Sequence, residues 1–345
     1  MPHKKTMTVP LDISVVIATY NRADILQGTL QSLARQTIPA ERFEVVVVDD
    51  GSTDTTSKML SREALSLPYR LRAFRHENRG PGFTQNRGIR ESAANLVQLL
   101  PDDVRPAPEC LAHHLAHHAA HPTPEIAVLG RVLQSPELPP TVMHRYWEPF
   151  DQVFNRCRGK QEIDSLLFCA CNVSVKRSFL LEHGLFRERR GAAAEDIELG
   201  YRLGRQGLRI LFNPAALALH YHPVTLDWVC RRAFQTGCNF DLVSDQVPKE
   251  VIYPFYRIAR WEAGLPGLLK MLPRMIIRGS TFNHTTVNFF WLPVLRRAEQ
   301  SRIAALFACR KSYRGVVGYF FRRGLSAGPR AGDDGIGIPP GLNKA

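Results

Sequence analysis

The 345-residue sequence has no apolar run of the roughly 18 residues that a membrane-spanning helix requires. Residues Met1–Pro10 lack the apolar segment of a signal peptide, and the seven cysteines are odd in number and scattered, which favours reduced thiols over disulfides. The chain has no internal repeat, and Gly80-Pro81-Gly82 lacks the spacing of a dinucleotide-binding loop. We therefore expect a cytoplasmic, globular protein, in agreement with 44% hydrophobic and 22% charged residues.

Acidic residues are scarce in the last third of the chain. Residues Pro223–Ala345 include 18 Lys/Arg and only 8 Asp/Glu, a net charge of +10, whereas the first 222 residues hold 27 and 24, a net charge of +3. The total of +13 indicates an anionic partner, such as a nucleic acid, a phosphorylated small molecule or an anionic membrane. The sequence has no zinc finger or other nucleic-acid-reading motif, so we do not expect nucleic acid as a partner.

Apolar runs rich in β-branched residues alternate with helical patterns. Strands are predicted at Ile13–Ala18, Val45–Val48, Leu71–Phe74, Leu96–Leu100, Glu125–Arg131, Phe168–Val175, Leu208–Phe212 and Ala215–Leu219. Helices are predicted after Asn21 as the N-cap, from Asp54, up to about Asn95 and over Glu195–Arg205. This order predicts an α/β fold with a mainly parallel sheet and right-handed crossovers.

Four groups of polar residues stand where predicted strands end or a helix begins. They are Asp49-Asp50, Asp102-Asp103, Glu195-Asp196 and His220-Tyr221-His222. A single acidic pair is commonly a turn or a helix cap, but four such groups at the ligand-binding edge of one sheet indicate a site. Carboxylates and imidazoles can hold a divalent cation, and a cation beside a carboxylate suits chemistry at a phosphate ester.

Six motifs, taken in order, resemble a family-2 glycosyltransferase of the GT-A fold over about Leu11–Pro223. The matching segments are Val15–Arg22, Val47–Asp54, Asn78–Gly82 with Asn86–Ile89, Asp102-Asp103, Glu195–Leu199 with Tyr201–Leu203, and His220–His222. The resemblance implies a Rossmann-like, mainly parallel sheet flanked by helices. It also implies an inverting, hexosyltransferase-like enzyme that acts in glycan, polysaccharide or glycolipid synthesis. Its donor would be a nucleotide-diphosphate sugar, usually a UDP-sugar, and its acceptor a hydroxyl group of a glycan or a lipid-linked molecule.

The same resemblance implies a role for each site residue. The donor would be bound by Thr19, Tyr20, Arg22, Asp50, Asn86 and Asp102, with Asp50 reading the base. Asp103 would bind Mg²⁺ or Mn²⁺, with His222, or else His220, as a further ligand. Asp196 would be the general base that deprotonates the acceptor hydroxyl, with Glu195 as the alternative.

Two positions depart from the family pattern. Pro101 stands where the first acid of the metal strand is common. Gln85 stands where the family commonly has an arginine, so that Arg79 or Arg87 would have to supply the charge. The Pro101 departure leaves a non-catalytic protein that binds nucleotide sugars or polyanions as an alternative. A nucleotidyltransferase is a second alternative, although the basic, Gly-rich triphosphate loop that it would need is missing.

The resemblance and the charge pattern together predict four parts: an N-terminal tail at 1–10, a GT-A domain at 11–223, a basic, aromatic-rich helical region at 224–323 and a flexible tail at 324–345. Between Val251 and Arg323, 13 Lys/Arg are interleaved with aromatic residues, and the only acids are Glu262 and Glu299. This composition favours helices that lie on an anionic membrane, at the inner face of the cell membrane, over an ordinary helical domain with a basic solvated face.

Two further patterns suggest sites that we do not favour. One predicted helix carries five histidines at spacings of three and four: His113, His114, His117, His118 and His121. Because no Cys or Glu completes a tight motif, a solvated or partly packed helix face is favoured over a zinc site. Cys169 and Cys171 share one face of a predicted strand, and small buried side chains are favoured over a catalytic thiol.

Overall fold

The computed structural model describes residues 10–139, 141–146, 150–188, 195–256, 280–300 and 310–328. The chain divides into two compact units. The first, called the sheet unit, comprises Met1–Leu138, Phe150–Arg190 and Glu195–His222. The second, called the helical unit, comprises Pro139–Pro149, Gly191–Ala194 and Pro223–Ala345.

The sheet unit is built on one sheet with nine strands in the described ranges. The strands are β1 (Ile13–Thr19), β2 (Phe43–Asp49), β3 (Arg70–Arg75), β4 (Leu96–Leu99), β5 (Val104–Pro106), β6 (Ile126–Gln134), β7 (Glu162–Ile163), β8 (Val173–Lys176) and β9 (Arg209–His220). Their order is β3-β2-β1-β4-β8-β6-β9-β5, and β7 pairs with β9. Strands β3, β2, β1 and β4 are mutually parallel, as are β6 and β9, whereas β8, β5 and β7 pair antiparallel to their neighbours.

Helices connect and cover these strands. They are α1 (Ala23–Leu33), α2 (Thr56–Ser66), α3 (Pro81–Glu91), α4 (Cys110–Ala120), α5 (Asp151–Cys157), α6 (Arg177–His183) and α7 (Glu195–Gly204), with short 3₁₀ helices at Ala40–Arg42 and Ser165–Leu167. The predicted α/β fold with a sheet flanked by helices is confirmed.

Burial of both sheet faces explains why the central strands read as continuous apolar runs. Val45–Val48 on β2 are all fully buried. Val45 and Val47 belong to the core cluster that includes Leu26 and Leu30 of α1, while Val48 lies on the opposite face, where α3 approaches β1 closely at Gly88. Helices on both faces bury β-branched residues on both sides of the strand, which is the arrangement that parallel sheets require.

Three sequence predictions of local structure are wrong. Of the predicted strand Phe168–Val175, only Val173–Val175 is extended, as part of β8, because residues 168–172 form an irregular turn that follows the 3₁₀ helix Ser165–Leu167. The two strands predicted around Pro214 are one strand, β9, whose register with β6 shifts between Gly130 and Arg131. Helix α1 has Arg22 rather than Asn21 as its N-cap residue.

The helical unit has its own core. Its helices are Val142–Tyr146, Leu226–Cys238, Phe240–Ser244, Lys249–Tyr256, His284–Thr286, Leu292–Gln300 and Arg310–Ala327, with a π-helix at Val287–Trp291. The long helices Leu226–Cys238 and Arg310–Ala327 touch through their backbones at Gly237 and Gly324, since a Cβ at either glycine would meet a carbonyl oxygen of the other helix.

Several sequence predictions fall partly outside the described residues. These include the N-terminal tail, most of the C-terminal tail and the stretch 257–279 of the basic region. Among the helices that the structure describes, none combines the length and the apolar character needed to cross a membrane. None of the six described cysteines forms a disulfide.

Candidate functional site

Two neighbouring parallel strands, β1 and β2, deliver the first site residues to one edge of the sheet. Thr19 ends β1 and pairs in register with Asp49, which ends β2. The loop after Thr19 turns through Asn21, whose φ of 53° lies in the left-handed region, and Asn is one of the few side chains that tolerate it. Asn21 Oδ1 accepts from Thr53 N at 2.7 Å, and Asn21 N donates to Ser52 Oγ at 2.8 Å, so the two loops hold each other in place.

Asp102 and Asp103 follow β4 and accept hydrogen bonds from residues at the end of β1 and in the loop after it. Thr19 Oγ1 donates to Asp102 Oδ2 at 2.8 Å. The Arg22 guanidinium spans the pair, with Nη1 at 2.6 Å from Asp102 Oδ1 and Nη2 at 2.9 Å from Asp103 Oδ2. Thr29 Oγ1 donates to the carbonyl oxygen of Asp102. The acidic pair is therefore fixed from several directions.

The two predicted histidines come to the same place from the end of β9. Arg22 Nη2 lies 3.2 Å from His222 Nδ1, and His220 Nε2 lies 3.7 Å from Asp103 Oδ2. Gln134 on β6 links the histidines, because its Oε1 lies 2.8 Å from His220 Nδ1 and its Nε2 donates to His222 O at 2.8 Å. The structure thus brings together Thr19, Arg22, Asp102, Asp103, His220 and His222, which we call the Arg22 cluster.

The pKa values of the ionisable groups in the Arg22 cluster are shifted in different directions. Burial, together with the neighbouring Asp103 charge, raises the pKa of Asp102 to about 7, although Arg22 opposes the shift. Burial would also raise the pKa of Asp103, but the hydrogen bond and charge of His220, together with Arg22, hold it well below its usual range. The two carboxylates raise the pKa of Arg22 against the effect of burial, so that it stays cationic.

The carboxylate oxygens of the cluster are ligands that Mg²⁺ and Mn²⁺ prefer, and its imidazole nitrogens are ligands that transition metals accept. Their present arrangement is that of a guanidinium site, in which Arg22 supplies the positive charge between Asp102 and Asp103. In the described part of the chain, no group of three or more His, Cys, Asp or Glu side chains is arranged to hold a metal ion.

Asp50 organises the Gly-rich turn before α3. Its Oδ1 accepts from Arg79 N at 2.8 Å and its Oδ2 from Gly80 N at 3.0 Å, and His76 Nδ1 lies 3.4 Å from Oδ1. Asp50 N in turn donates to Thr19 O at 2.9 Å, which ties this turn to the loop after β1. A carboxylate has about four acceptor positions, so these two backbone bonds do not exhaust Asp50.

The acids of α7 differ in their surroundings. Asp196, in the first turn, accepts from Ala170 N at 3.2 Å and is half-buried. Glu198 is buried and lies 3.1 Å from Arg187 Nε and 3.0 Å from Arg202 Nε through the same oxygen. Glu195 is half-buried at the start of the helix. Glu198 therefore connects α7 to the segment that carries Arg187, whereas Glu195 and Asp196 lie in the first turn of α7.

Asn86 is predicted to bind the donor, but in the structure its side-chain amide hydrogen-bonds to the backbone of Phe186. Its Nδ2 donates to Phe186 O at 2.8 Å, and its Oδ1 accepts from Phe186 N at 2.9 Å. The residue is almost completely buried and anchors the chain before α7. Asn86 is not part of the Arg22 cluster, and its predicted contact with the donor stays a prediction.

The positions that depart from the family pattern are also defined. Gln85 Oε1 is buried and accepts no hydrogen bond from any residue that the structure describes. The arginines expected to replace the missing charge have other contacts: Arg79 stacks over the Phe83 ring at 3.7 Å, and Arg87 donates to Arg75 O at 2.8 Å. Tyr20 is 46% exposed beside the cluster.

The histidine helix α4 is packed rather than solvated. His114 and His118 are buried, and Ser174 Oγ lies 2.8 Å from His114 Nδ1 and 2.9 Å from His118 Nε2. The row begins at Lys176, whose Nζ donates to His118 Nδ1, and ends at Asn172 Oδ1, 3.0 Å from His114 Nε2. Because an ammonium group only donates, His118 Nδ1 accepts the bond from Lys176. Burial lowers the pKa of both His114 and His118, so both imidazoles are neutral near pH 7.

Sequence reasoning missed three residues that shape the site. Asn21 was expected to cap a helix, and its left-handed backbone is signalled only by its residue type. Thr29 contacts the Arg22 cluster from the interior of α1 and Gln134 from the end of β6, and no motif marks either residue. Their roles depend on contacts between residues distant in sequence.

Comparisons with known proteins agree with this geometry. Residues 14–183 match the profile described as Glycosyl transferase family 2. Validoxylamine A glucosyltransferase of Streptomyces hygroscopicus subsp. jinggangensis is 35% identical over 229 residues, which cover 59% of this chain and 53% of that protein. Chondroitin synthase of Escherichia coli is 27% identical over 272 residues, covering 68% of this chain and 38% of that protein. The chain thus spans about half the length, or less, of these curated relatives.

Solved structures share the fold. The mannosyltransferase PcManGT from Pyrobaculum calidifontis, in complex with GDP-Man and Mn²⁺, superimposes with a TM-score of 0.62 at 21% identity, covering 94% of this chain and 88% of that chain. TarS of Staphylococcus aureus superimposes with a TM-score of 0.51 at 18% identity, covering 92% and 55%. Residues 14–183, which hold most of the sheet together with Asp102 and Asp103, are thus similar to glycosyltransferase family 2. The resemblance found in the sequence is thereby confirmed.

Proposed function

We propose that this protein transfers a sugar from a nucleotide-diphosphate sugar to a hydroxyl acceptor with inversion at the anomeric carbon. The observation that carries the proposal is the Arg22 cluster, in which two adjacent carboxylates at a strand end are fixed beside His220 and His222. Such a cluster provides charge complementary to a diphosphate and its counter-ion. The support from the family match is at the level of the reaction class.

Donor binding is assigned to the loop after β1 and to the Asp50 turn. Thr19, Tyr20 and Arg22 lie on that loop, and Asp50 retains acceptor capacity for a base N–H group. Asp102 would accept from the ribose. We expect a UDP-sugar, while the GDP-Man of the archaeal neighbour makes a guanine nucleotide the main alternative. A thermal-shift screen of UDP-, GDP- and dTDP-sugars, with and without Mn²⁺, separates these donors, because a bound ligand raises the melting temperature.

Metal dependence is part of the proposal, with Mg²⁺ or Mn²⁺ as the cation. Asp103 and His222 would hold it, and when bound it would neutralise the diphosphate that leaves with the nucleotide. The Mn²⁺ of the archaeal neighbour supports this choice. Transfer is then expected to stop when EDTA removes the cation and to return when Mn²⁺ is added in excess.

The chemical step is assigned to Asp196, with Glu195 as the alternative. An ionised carboxylate in the first turn of α7 takes the proton of the acceptor hydroxyl while the hydroxyl oxygen attacks the anomeric carbon. The nucleoside diphosphate leaves from the opposite side, so a single displacement inverts the configuration. The N-terminal end of a helix favours the ionised form of Asp196, and the Ala170 N–H holds one of its oxygens.

The acceptor is proposed to be a hydroxyl group of a glycan or a lipid-linked molecule. Transfer to such acceptors by the wild type, with loss on Asp196→Asn, supports the assignment. Tight donor binding without turnover over a broad acceptor panel would instead favour a non-catalytic binding protein. Release of pyrophosphate from a nucleoside triphosphate would favour a nucleotidyltransferase.

We propose that the protein is cytoplasmic and that the helical unit contacts an anionic membrane from that side. The support for this proposal is the set of residues that the helical unit exposes. Phe289 and Phe290 on the π-helix are 80% and 55% exposed. The helix Arg310–Ala327 buries Tyr313, Val316 and Phe320 and exposes Lys311, Arg314, Arg322 and Arg323. The His284 Nδ1 bond to Tyr319 Oη, 3.0 Å long, joins the segment before the π-helix to this helix. Exposed aromatics beside basic residues match an anionic bilayer.

Vesicle flotation tests this contact. We expect the protein to float with phosphatidylglycerol vesicles but not with phosphatidylcholine vesicles, and the double variant Phe289→Ser/Phe290→Ser to stay in solution. Leu65→Ser is the control, since Leu65 is 91% exposed on the sheet unit. Equal flotation of the double variant and the wild type would contradict the assignment.

A further inference from the structure

The position of Arg22 raises a question about the cation that the proposed function requires. Its two terminal nitrogens contact Asp102 and Asp103 at 2.6 and 2.9 Å, and one of them also lies 3.2 Å from His222 Nδ1. These are the side chains that supply the carboxylate and imidazole donors of the cluster. One cation, the guanidinium, is therefore already bound by the groups that a divalent cation would need.

A guanidinium and a divalent ion cannot share these groups without cost. Asp102 and Asp103 are buried, with side-chain exposures of 5% and 13%, so that charges beside them are weakly screened. Like charges brought to the same carboxylates repel each other. In addition, an oxygen that accepts from Arg22 has less of its lone-pair density available for a metal.

The Arg22 side chain can leave without disturbing the core. It is 29% exposed, and its residue stands just before α1, at the N-cap position. The start of α1 is held independently of its side chain, because Asp54 Oδ2 accepts from Ala23 N at 3.2 Å and Asn21 binds the Thr53 backbone. A rotation of the Arg22 side chain would therefore leave the helix and the loop in place.

We propose that Arg22 competes with the divalent cation for Asp103 and His222, and that the diphosphate of the donor removes this competition by giving the guanidinium a new anionic partner. This inference rests on the proposed function, because it assumes a donor diphosphate and a cation at the Arg22 cluster. A guanidinium pairs well with phosphate oxygens through two parallel bonds. Arg22 thus makes cation binding depend on donor binding.

The binding of the nucleotide and the binding of the cation are thermodynamically linked. If the nucleotide raises the affinity for the cation by some factor, the cation must raise the affinity for the nucleotide by the same factor. Couplings of this kind are typically about 5- to 150-fold. Without Arg22 the coupling falls, because the cation no longer has a competitor in the nucleotide-free protein.

The test is the binding of Mn²⁺, measured by electron paramagnetic resonance of the unbound ion, with the full chain in the absence and presence of UDP or GDP. We expect Arg22→Gln to bind Mn²⁺ without nucleotide about tenfold more tightly than the wild type does. We expect UDP or GDP to strengthen Mn²⁺ binding in the wild type and to do so much less in the variant. Arg22→Lys keeps the charge and should remain closer to the wild type.

Arg35→Gln controls for the loss of one positive charge. Arg35 is exposed just after α1, about 20 Å along the helix from Arg22 at 1.5 Å per residue, and it should not change Mn²⁺ binding. Equal Mn²⁺ affinity of the wild type and Arg22→Gln without nucleotide would overturn the inference while leaving the proposed function intact. If neither protein binds Mn²⁺ under any condition, both the inference and the metal requirement are wrong, and transfer measured in EDTA shows whether the sugar-transfer proposal survives.

Discussion

Thr19 and Asp102, 83 positions apart in the sequence, are joined by a 2.8 Å hydrogen bond at the edge of the sheet. Thr19 is the last residue of β1, and Asp102 lies in the loop after β4. Because β1 and β4 are neighbouring parallel strands, these two positions meet at the same edge of the sheet. Thr19 is buried, so its hydroxyl has one defined task, which is to orient the carboxylate of Asp102. The loop after β1 thus takes part in the acidic site and does not only connect a strand to a helix.

Thr19→Val tests this task, because valine has the shape of threonine without the hydroxyl. We expect the variant to lose roughly tenfold to a hundredfold in kcat/KM, since a hydrogen bond to a charged group contributes about 1.5–3 kcal/mol. The measurement is the steady-state rate of transfer together with the melting temperature. Thr37→Val, at an exposed position, is the control. Unchanged kcat/KM in Thr19→Val would contradict a role for the hydroxyl.

Asp196→Asn and Glu198→Gln separate chemistry from structure within one helix. Asp196→Asn removes the proposed base, so we expect transfer to fall by a factor of about 10²–10⁴ with little change in melting temperature. Glu198→Gln weakens the contacts to Arg187 and Arg202, so we expect a loss of stability of about 1–3 kcal/mol. Rates and thermal unfolding of both variants are the measurements. A fully active Asp196→Asn enzyme would exclude Asp196 as the base and leave Glu195 as the remaining candidate.

The buried histidines of α4 predict a loss of stability in acid. Burial lowers the pKa of His114 to about 4 from an ordinary value of about 6.5, and burial with the Lys176 charge lowers the pKa of His118 to about 3. Between these values and 6.5 the unfolded chain binds more protons than the folded protein does. Stability is therefore complete above about pH 6.5 and falls as the pH drops toward 4, by about 3 kcal/mol for His114.

Urea unfolding at pH 7 and pH 5 measures this effect. His114→Gln should be less stable than the wild type at pH 7, because a buried network is changed, but it should lose less stability between pH 7 and pH 5. His121→Gln, at the exposed end of the same helix, should keep the acid sensitivity of the wild type. An equal pH dependence in His114→Gln and the wild type would show that His114 does not carry the effect.

The sequence allowed the fold to be predicted where burial fixes the pattern. Val45–Val48 is apolar on both faces because helices cover both sides of β2. The strand Phe168–Val175 was predicted too long, because Phe168–Asn172 is an irregular, mostly buried turn in which Ala170 N donates to Asp196 Oδ2. Local alternation does not distinguish a strand from an irregular segment that is buried on one side.

The chemistry of the site could be predicted only as far as residue types allow. The acids at strand ends were found because parallel strands deliver their carboxyl ends to one edge. The contact of Arg22 with both Asp102 and Asp103 spans about eighty positions and has no local signature. The buried state of His114 was equally hidden, since it depends on Ser174 and Asn172 from another part of the chain.

The central claim is sugar transfer from a nucleotide-diphosphate sugar, and its most direct test is the release of nucleoside diphosphate. The wild type is incubated with Mn²⁺, the donor selected by thermal shift and a panel of hydroxyl acceptors, beside Asp103→Asn and Asp196→Asn. We predict acceptor-dependent release of the nucleoside diphosphate by the wild type, an inverted anomeric bond in the product by NMR, and loss of both in the two variants. A wild type that binds the donor selectively yet releases no nucleoside diphosphate with any acceptor would contradict the account.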